Sequence, residues 1–445
     1  MRVHGDSKPA KRRTGGLPRR SFLQLGAAWL ASAPLLRLGA QGKRVKMHVA
    51  VVGAGAFGGW TALHLLRRGA RVTLLDAWGP GHSRASSGGE TRIIRAIYGP
   101  DRIYVRMVVR SLQLWRENAE RWGRALFRKT GVLWMAGPDG RYEQAALPLL
   151  KEEGIAFEQL EAKEAARRYP QINFEGVSWA IQEKDAGYLT ARVACAAVLD
   201  GFMAEGGEYR QLAVEPGAFQ GGALSGIKLS NGSLLEADRY VFACGPWLGR
   251  LFPGVLGDLI QPSRQEVFFF GTPSGDARFS EESLPAWIDN GTRIFYGIPG
   301  NQGRGFKIAD DSHGESFDPT SGERTPSAAA LDSARAYLRF RFPALKDAPL
   351  VEARVCQYEN SPDGHYILDR LPTATNVWVV GGGSGHGFKN GPAIGEMTAA
   401  MVLEEKAPEP KFALARFASQ AAGGARQFRS QRQSPGSAAI GRADS

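Results

Sequence analysis

His48-Val49-Ala50-Val51-Val52-Gly53-Ala54-Gly55-Ala56-Phe57-Gly58 is the stretch that decides how this chain folds. Its first five residues make a short apolar run ending on glycine, as expected of a strand buried in a parallel sheet. From residue 56 to 68 apolar side chains recur at helical spacing through Trp60, Leu63, Leu65 and Leu66, and the pattern stops at Gly69. Arg71-Val72-Thr73-Leu74-Leu75-Asp76 reads as a second strand. The order strand, helix, strand puts three glycines at the first turn and an acid 23 residues after Gly53. Each position has a task in dinucleotide binding. Gly53 permits the tight turn, Gly55 lets backbone approach a pyrophosphate, and Gly58 lets helix and strand pack closely. The helix N-terminus then faces the phosphates, and Asp76 can accept a ribose hydroxyl. The turn alone does not separate FAD from NAD.

Further along, residues 226–245 read as a hairpin on Asn231-Gly232 followed by a strand that closes on Gly245. A distant segment returning in this way to the first sheet is typical of FAD domains. More strands are expected at 131–137, 266–270, 293–297 and 376–380, with a polar surface loop at 310–327 and no internal repeat. The fold class is α/β.

At 445 residues, 43% hydrophobic and 22% charged, the chain has the composition of a soluble globular protein long enough for two domains. Its formal charge is +12, but residues 1–46 hold +10 and residues 421–445 hold +3, so 47–420 are near −1. A near-neutral body argues against a nucleic-acid partner. Three cysteines, Cys195, Cys244 and Cys356, are too few for a disulfide framework, and their spacing matches no zinc site, so no metal is expected. Cys195 lies in an apolar helical stretch and Cys244 at a strand end, where small buried packing residues are expected.

Two other segments carry chemistry. Thr91-Arg92-Ile93-Ile94-Arg95 sets two arginines three apart, which a helical turn or short loop would present on one side. They form either a solvated basic face or a fork for a carboxylate, which guanidinium grips bidentately. Arg354-Val355-Cys356-Gln357-Tyr358, followed by Asn360-Ser361-Pro362-Asp363, precedes Ser384-Gly385-His386-Gly387-Phe388-Lys389.

These motifs, with residues 86–99, the Gly131-Val132-Leu133 turn and Tyr296-Gly297-Ile298-Pro299 with Lys307, occur in an order that resembles the monomeric sarcosine oxidases and N-methyltryptophan oxidase. The resemblance runs from about Met47 to Phe417. It implies a Rossmann-type FAD-binding domain (47–126, 188–258 and 352–420) interleaved with a substrate domain of mixed sheet (127–187 and 259–351). It implies that Cys356 carries FAD through a thioether, which needs a thiolate and so a nearby positive charge. Lys389 and Arg95 match the pair that grips the substrate carboxylate, and Tyr296 and Tyr358 match tyrosines lining the cavity. Lys307 matches a lysine beside the flavin that serves oxygen activation, since a fixed cation stabilises superoxide; Arg92 lies near the ring and Thr91 belongs to the same cofactor-binding segment. Gly385, His386 and Gly387 would open a helix whose positive end faces the flavin pyrimidine, with His386 limited to packing or backbone hydrogen bonds. The family often has histidines where this chain has Gly88 and Asp311, which puts sarcosine itself in question.

The expected activity is FAD-dependent oxidation of a secondary or N-methyl amino acid with O₂ reduced to hydrogen peroxide. The competing readings are a dehydrogenase of the same fold using another acceptor, and a non-catalytic FAD-binding protein. A monomer is expected. At the N-terminus, Arg19-Arg20-Ser21-Phe22-Leu23 joins a basic region to the apolar run 22–36 and resembles a twin-arginine export signal. That machinery carries folded proteins, which places the mature enzyme in the periplasm or outside; a start at Met47 would leave it in the cytoplasm. The tail 421–445, rich in Gly, Ser, Gln and Arg, is expected to be disordered.

Overall fold

The computed structural model describes residues 46–418. The twin-arginine stretch and the tail 421–445 lie outside the described residues, and within them no helix is long and apolar enough to cross a membrane.

Two large sheets organise the chain. The first has six strands in the spatial order Ile367–Arg370, Val377–Gly381, Arg239–Phe242, His48–Val52, Arg71–Leu75 and Glu208–Arg210. All pairs are parallel except the first. Alternation along these strands sends Val49, Val51, Leu74 and Val241 to one face, where they pack on the helices Ala56–Arg67, Arg102–Arg121, Ala191–Ala204 and Gly391–Glu404. Ala50, Val52, Tyr240 and Phe242 go to the other face and meet the hairpin of Ile227–Leu229 and Leu234–Leu235. Trp60, 1% exposed, centres the helical side; burial of an aromatic this size is worth about 2–3 kcal/mol.

The second sheet has eight strands: Leu350–Asn360, Gln261–Phe270, Phe306–Asp310, Ile294–Ile298, Ala286–Asn290, Val132–Ala136, Trp179–Glu183 and Phe157–Glu161. It is mixed, with one parallel pair, Ala286–Asn290 beside Val132–Ala136. Its register decides which side chains share a face, because paired residues point the same way and neighbours alternate. Cys356 pairs with Gln265, Tyr358 with Ser263, Phe269 with Lys307, Ala309 with Tyr296, Tyr296 with Ile288, Ile288 with Trp134, and Trp134 with Ile181. Cys356, Tyr358, Lys307, Tyr296, Trp134 and Glu183 therefore stand on one face. The opposite face, with Leu133, Phe268, Phe270, Trp287 and Phe306, is an apolar core closed by the helix Ala328–Arg341.

Three expectations need correction. The strand Leu350–Asn360, grouped from residue 352 with the dinucleotide-binding segments, is an edge strand of the mixed sheet; only the strands after it return to the parallel sheet. Thr91–Ile94 is extended and pairs with Gly187–Thr190, so Arg92 and Arg95 do not share one side of a helical turn. Residues 385–387 do not begin a helix: a short 3₁₀ turn, Phe388–Asn390, follows them, and the α-helix starts at Gly391. Asp310 ends the strand Phe306–Asp310; beyond it the loop carries no further strand, yet Asp311 and Phe317 within it are buried.

Candidate active site

A cavity of about 1030 Å³ runs from the first glycine turn to the mixed sheet. Its wall takes in Gly53, Gly55, Asp76, Arg92, Arg95, Tyr296, Tyr358, Gly385, His386, Gly387 and Lys389. Gly58, Thr91, Lys307 and Cys356 do not belong to that wall.

At the turn, Gly53 has φ +106°, and a Cβ there would sit 2.3 Å from the carbonyl oxygen of Ala243. A Cβ on Gly58 would fall 1.8 Å from the Gly53 oxygen. Both glycines are thus required by space. The Ala54 N–H donates to Asp76 Oδ2 at 2.8 Å, and those of Trp78 and Gly79 donate to Oδ1 at 2.9 Å each. Asp76 is fixed by three amides at the cavity edge, as an acceptor for a sugar hydroxyl would be.

The residues fit an FAD-sized group. The volume lies at the upper end of small-molecule sites, about 300–1,000 Å³, and the glycine cradle opens one end of it. Several buried polar atoms near the wall lack a hydrogen-bond partner: Ser86 Oγ, Thr91 Oγ1, Gln357 Oε1 and Glu359 Oε2. Orphaned groups of this kind cost about 1–3 kcal/mol each, and Ser86 and Glu359 belong to the cavity wall itself, where a polar ligand would satisfy them.

Near Cys356, Arg92 extends from the strand Thr91–Ile94. Its guanidinium donates to Thr91 O at 2.8 Å and Ser86 O at 2.7 Å, and lies 3.7 Å from Cys356 Sγ. Lys307, 2% exposed, donates to Thr91 O at 3.0 Å and sits 5.5 Å from the Tyr296 ring centre. Burial, reinforced by Arg92, pushes its ammonium down to about 7, so its charge is conditional where a fixed cation was expected. Tyr358 donates to Asp311 Oδ1 at 2.7 Å, and burial pushes the Tyr296 hydroxyl up to about 12.

Farther along, one ring gathers the two cations expected to grip a carboxylate. Arg95 lies 4.4 Å from the Tyr98 ring centre and 4.9 Å from that of Trp134, while Lys389 Nζ lies 5.1 Å from Tyr98. Arg95 donates to Ile97 O, and Lys389 donates to His386 O at 2.9 Å. Two buried cations are costly unless matched, and Glu183 supplies a counter-charge. It is 2% exposed and accepts from the N–H groups of Ala96, at 2.8 Å, and Ile97, at 3.2 Å. Burial pushes its carboxyl up to about 7, opposed by the Ala96 N–H, Arg95 and Lys389. Tyr98 and Glu183 were missed in the sequence. The signal for Glu183 was its alternation with Trp179 and Ile181, which places it on the buried face.

His386 is held on both sides. Its Nε2 lies 3.0 Å from Gly364 O and therefore donates, which leaves Nδ1 to accept from Tyr98 and Tyr366, each at 3.0 Å. The ring is held by two tyrosine side chains and one backbone carbonyl. Among the described residues no cluster of His, Cys, Asp or Glu could hold a metal.

Comparison with known proteins agrees with this arrangement. The family described as FAD dependent oxidoreductase matches residues 48–401. The chain is 32% identical over 373 residues to monomeric sarcosine oxidase of Bacillus sp. (strain B-0618), covering 80% of this chain and 92% of that protein. It is 29% identical over 380 residues to N-methyl-L-tryptophan oxidase of Salmonella arizonae, covering 84% and 98%. Among solved structures, L-proline dehydrogenase from P. horikoshii superposes with a TM-score of 0.73 at 22% identity, over 84% of this chain and 98% of that one.

Proposed function

The chain belongs to the FAD dependent oxidoreductase family, and we propose that within it this protein is an oxidase of secondary or N-methyl amino acids. The observation that carries the reading is the convergence of Arg95 and Lys389 on Tyr98 in the same cavity wall as Tyr296 and Tyr358. Two converging cations suit a substrate carboxylate, and the relatives named above, sarcosine and N-methyltryptophan oxidases, act on such amino acids by their names.

Bound FAD supplies the acceptor for hydride from the amine α-carbon and then the electrons that reduce O₂ to hydrogen peroxide. The imine product is hydrolysed by water. Residues of the chain do the remaining work. Arg95 and Lys389 hold the carboxylate, which fixes the α C–H relative to the ring. Gly53, Gly55 and Asp76 would hold the adenosine end, while Gly385 and Gly387, packed against Tyr358 and Phe57, would line the flavin end. Cys356, beside Arg92, is the attachment point for a covalent thioether. Lys307, poised near neutrality, would supply a proton and positive charge to oxygen as it is reduced. The cationic cluster of Arg92, Arg95, Lys307 and Lys389 lowers the amine's affinity for its proton and favours the reactive neutral form. Export through the twin-arginine route, with Arg19-Arg20-Ser21-Phe22-Leu23 as signal, and a monomeric state belong to the same proposal.

Aerobic turnover tests it. N-methyl amino acids should yield hydrogen peroxide in step with O₂ consumed. Rapid reduction of the flavin by substrate with negligible reoxidation by O₂ would instead assign a dehydrogenase, the nearest competitor.

A further inference from the structure

We propose that Glu359 is a cofactor-binding residue whose protonated carboxyl donates a hydrogen bond to an oxygen of the chain joining the two ring systems of FAD. The proposal rests on FAD binding, which comes with the family, and is independent of the amine substrate. Glu359 lies near the end of the strand Leu350–Asn360, opposite Pro262. Alternation turns it away from Tyr358, toward the carboxyl ends of two strands of the parallel sheet, Arg239–Phe242 and Val377–Gly381. There its side chain meets glycines. A Cβ on Gly383 would come 2.9 Å from Oε1, and one on Gly245 or Gly381 would come 3.5 or 3.6 Å from Oε2. Gly383 also borders Phe57 of the first helix, and Ala243, two residues before Gly245, closes on Gly53. The carboxyl therefore stands in the crevice outside the strand ends, beside the glycine turn, which is where such sheets receive a dinucleotide's phosphates. Gly53, Gly55, Gly245, Gly383 and Glu359 all belong to the cavity wall.

The carboxyl is only half satisfied. Oε1 accepts from the Gly383 N–H at 3.3 Å, while Oε2 is buried with no hydrogen-bond partner, in a residue 8% exposed. Asp76, by contrast, accepts from three amides at the same turn. Among the described residues no cation pairs with Glu359. The facing strand presents Pro262, the strand ends present glycines, and the turn before Gly245 presents Cys244, whose thiol is pushed up by burial, Asp76 and Glu359 itself. Burial raises the Glu359 carboxyl to about 8, opposed by the Gly383 N–H. Ionised, it would repel phosphate oxygens; protonated, its Oε2 becomes a donor. The partner that Oε2 lacks is then an acceptor, and the cofactor chain is made of acceptors. As a mere anchor for Gly383, the carboxyl would grip that N–H more tightly once ionised, and FAD affinity would hold or rise with pH.

The test uses a Cys356→Ser chain, so that the proposed tether cannot mask release, and follows the dissociation constant of FAD against pH by flavin fluorescence. The constant should be flat below about 8 and climb above it, about tenfold between about pH 7 and about pH 9, as the protonated fraction falls. In Glu359→Gln on the same background, the amide still accepts from Gly383 and still donates. Its constant should match the parent's at about pH 7 and lose the climb. Lys307 and Glu183, held near 7, are present in both chains and cancel in the comparison. Glu359→Leu, with no donor, should bind FAD at least about tenfold more weakly than Glu359→Gln at every pH. If the leucine chain does not fold, Glu359→Met takes its place. ADP carries the phosphates without the ribityl chain, so a matching climb for ADP assigns the acceptor to phosphate, and one confined to FAD assigns it to the ribityl hydroxyls. A parent constant that climbs no more than that of Glu359→Gln, or equal affinities for the glutamine and leucine chains, would overturn the assignment. A chain that binds FAD at no pH would overturn the cofactor reading with it, whereas a holoprotein that oxidises no amine would count against the proposed function alone.

Discussion

Glu183→Gln is the sharpest perturbation of the site's electrostatics. The carboxyl is held at about 7 because it is buried, despite two backbone donors and the nearby Arg95 and Lys389. An ordinary glutamate ionises at 4.5, so the difference corresponds to about 3 kcal/mol. The folded value is the higher one. Its contribution to stability is therefore fully present below about 4.5 and lost as pH rises through about 7. Glutamine resembles the protonated acid and does not titrate. The variant should match its parent near pH 4.5 and gain on it up to about pH 8, by about 3 kcal/mol, or several degrees in Tm. Thermal unfolding of both proteins at a series of pH values measures this directly. A difference that stays constant, or a variant that loses ground as pH rises, would refute the reasoning. The same charge should weaken carboxylate binding by the parent as pH rises through about 7, and that dependence should vanish in the variant.

Three other outcomes follow from the site. Acid precipitation of the parent should leave the yellow colour with the protein, whereas Cys356→Ser should release it to the supernatant; release from the parent would rule out the tether. Reoxidation of the reduced enzyme by O₂, followed by stopped flow, should slow as pH rises through about 7, because Lys307 is a buried amine held near that value. Lys307→Met should be at least about tenfold slower and lose this dependence while flavin reduction by substrate persists. Gly53→Ala should fail to hold FAD and should unfold at lower temperature, since its Cβ would meet the Ala243 oxygen at a φ that costs about 1–3 kcal/mol besides; cofactor content and Tm report it.

How much of this was legible depends on how local each feature is. The strand–helix–strand unit from His48 to Leu75 needs only adjacent residues to specify it, and the structure reproduces it nearly residue for residue. The placement of Cys356 was less visible, because its strand is assigned to a sheet by pairing with Gln265, far away in sequence. Four residues, Thr91–Ile94, are too few to display a period, so extended backbone there could not be told from a turn. Glu183 precedes Lys184 and Asp185 and so reads as part of a solvated run despite its alternation with Trp179 and Ile181; its pairing with Val132 fixes it on the inward face. The polar neighbours of Asp311 suggest a surface loop, and only the family resemblance set the position near flavin and substrate; its bonds with Tyr358 and the Ile294 carbonyl hold it in the wall.

The central claim is that this cavity brings an amino acid's α C–H to a flavin. Anaerobic mixing of the purified flavoprotein with a series of N-methyl and other secondary amino acids tests it most directly, with the flavin absorbance as readout. The account predicts saturable bleaching with at least one of them, weakened when either Arg95 or Lys389 is replaced by methionine. An oxidised spectrum that persists with every amino acid tried would contradict it.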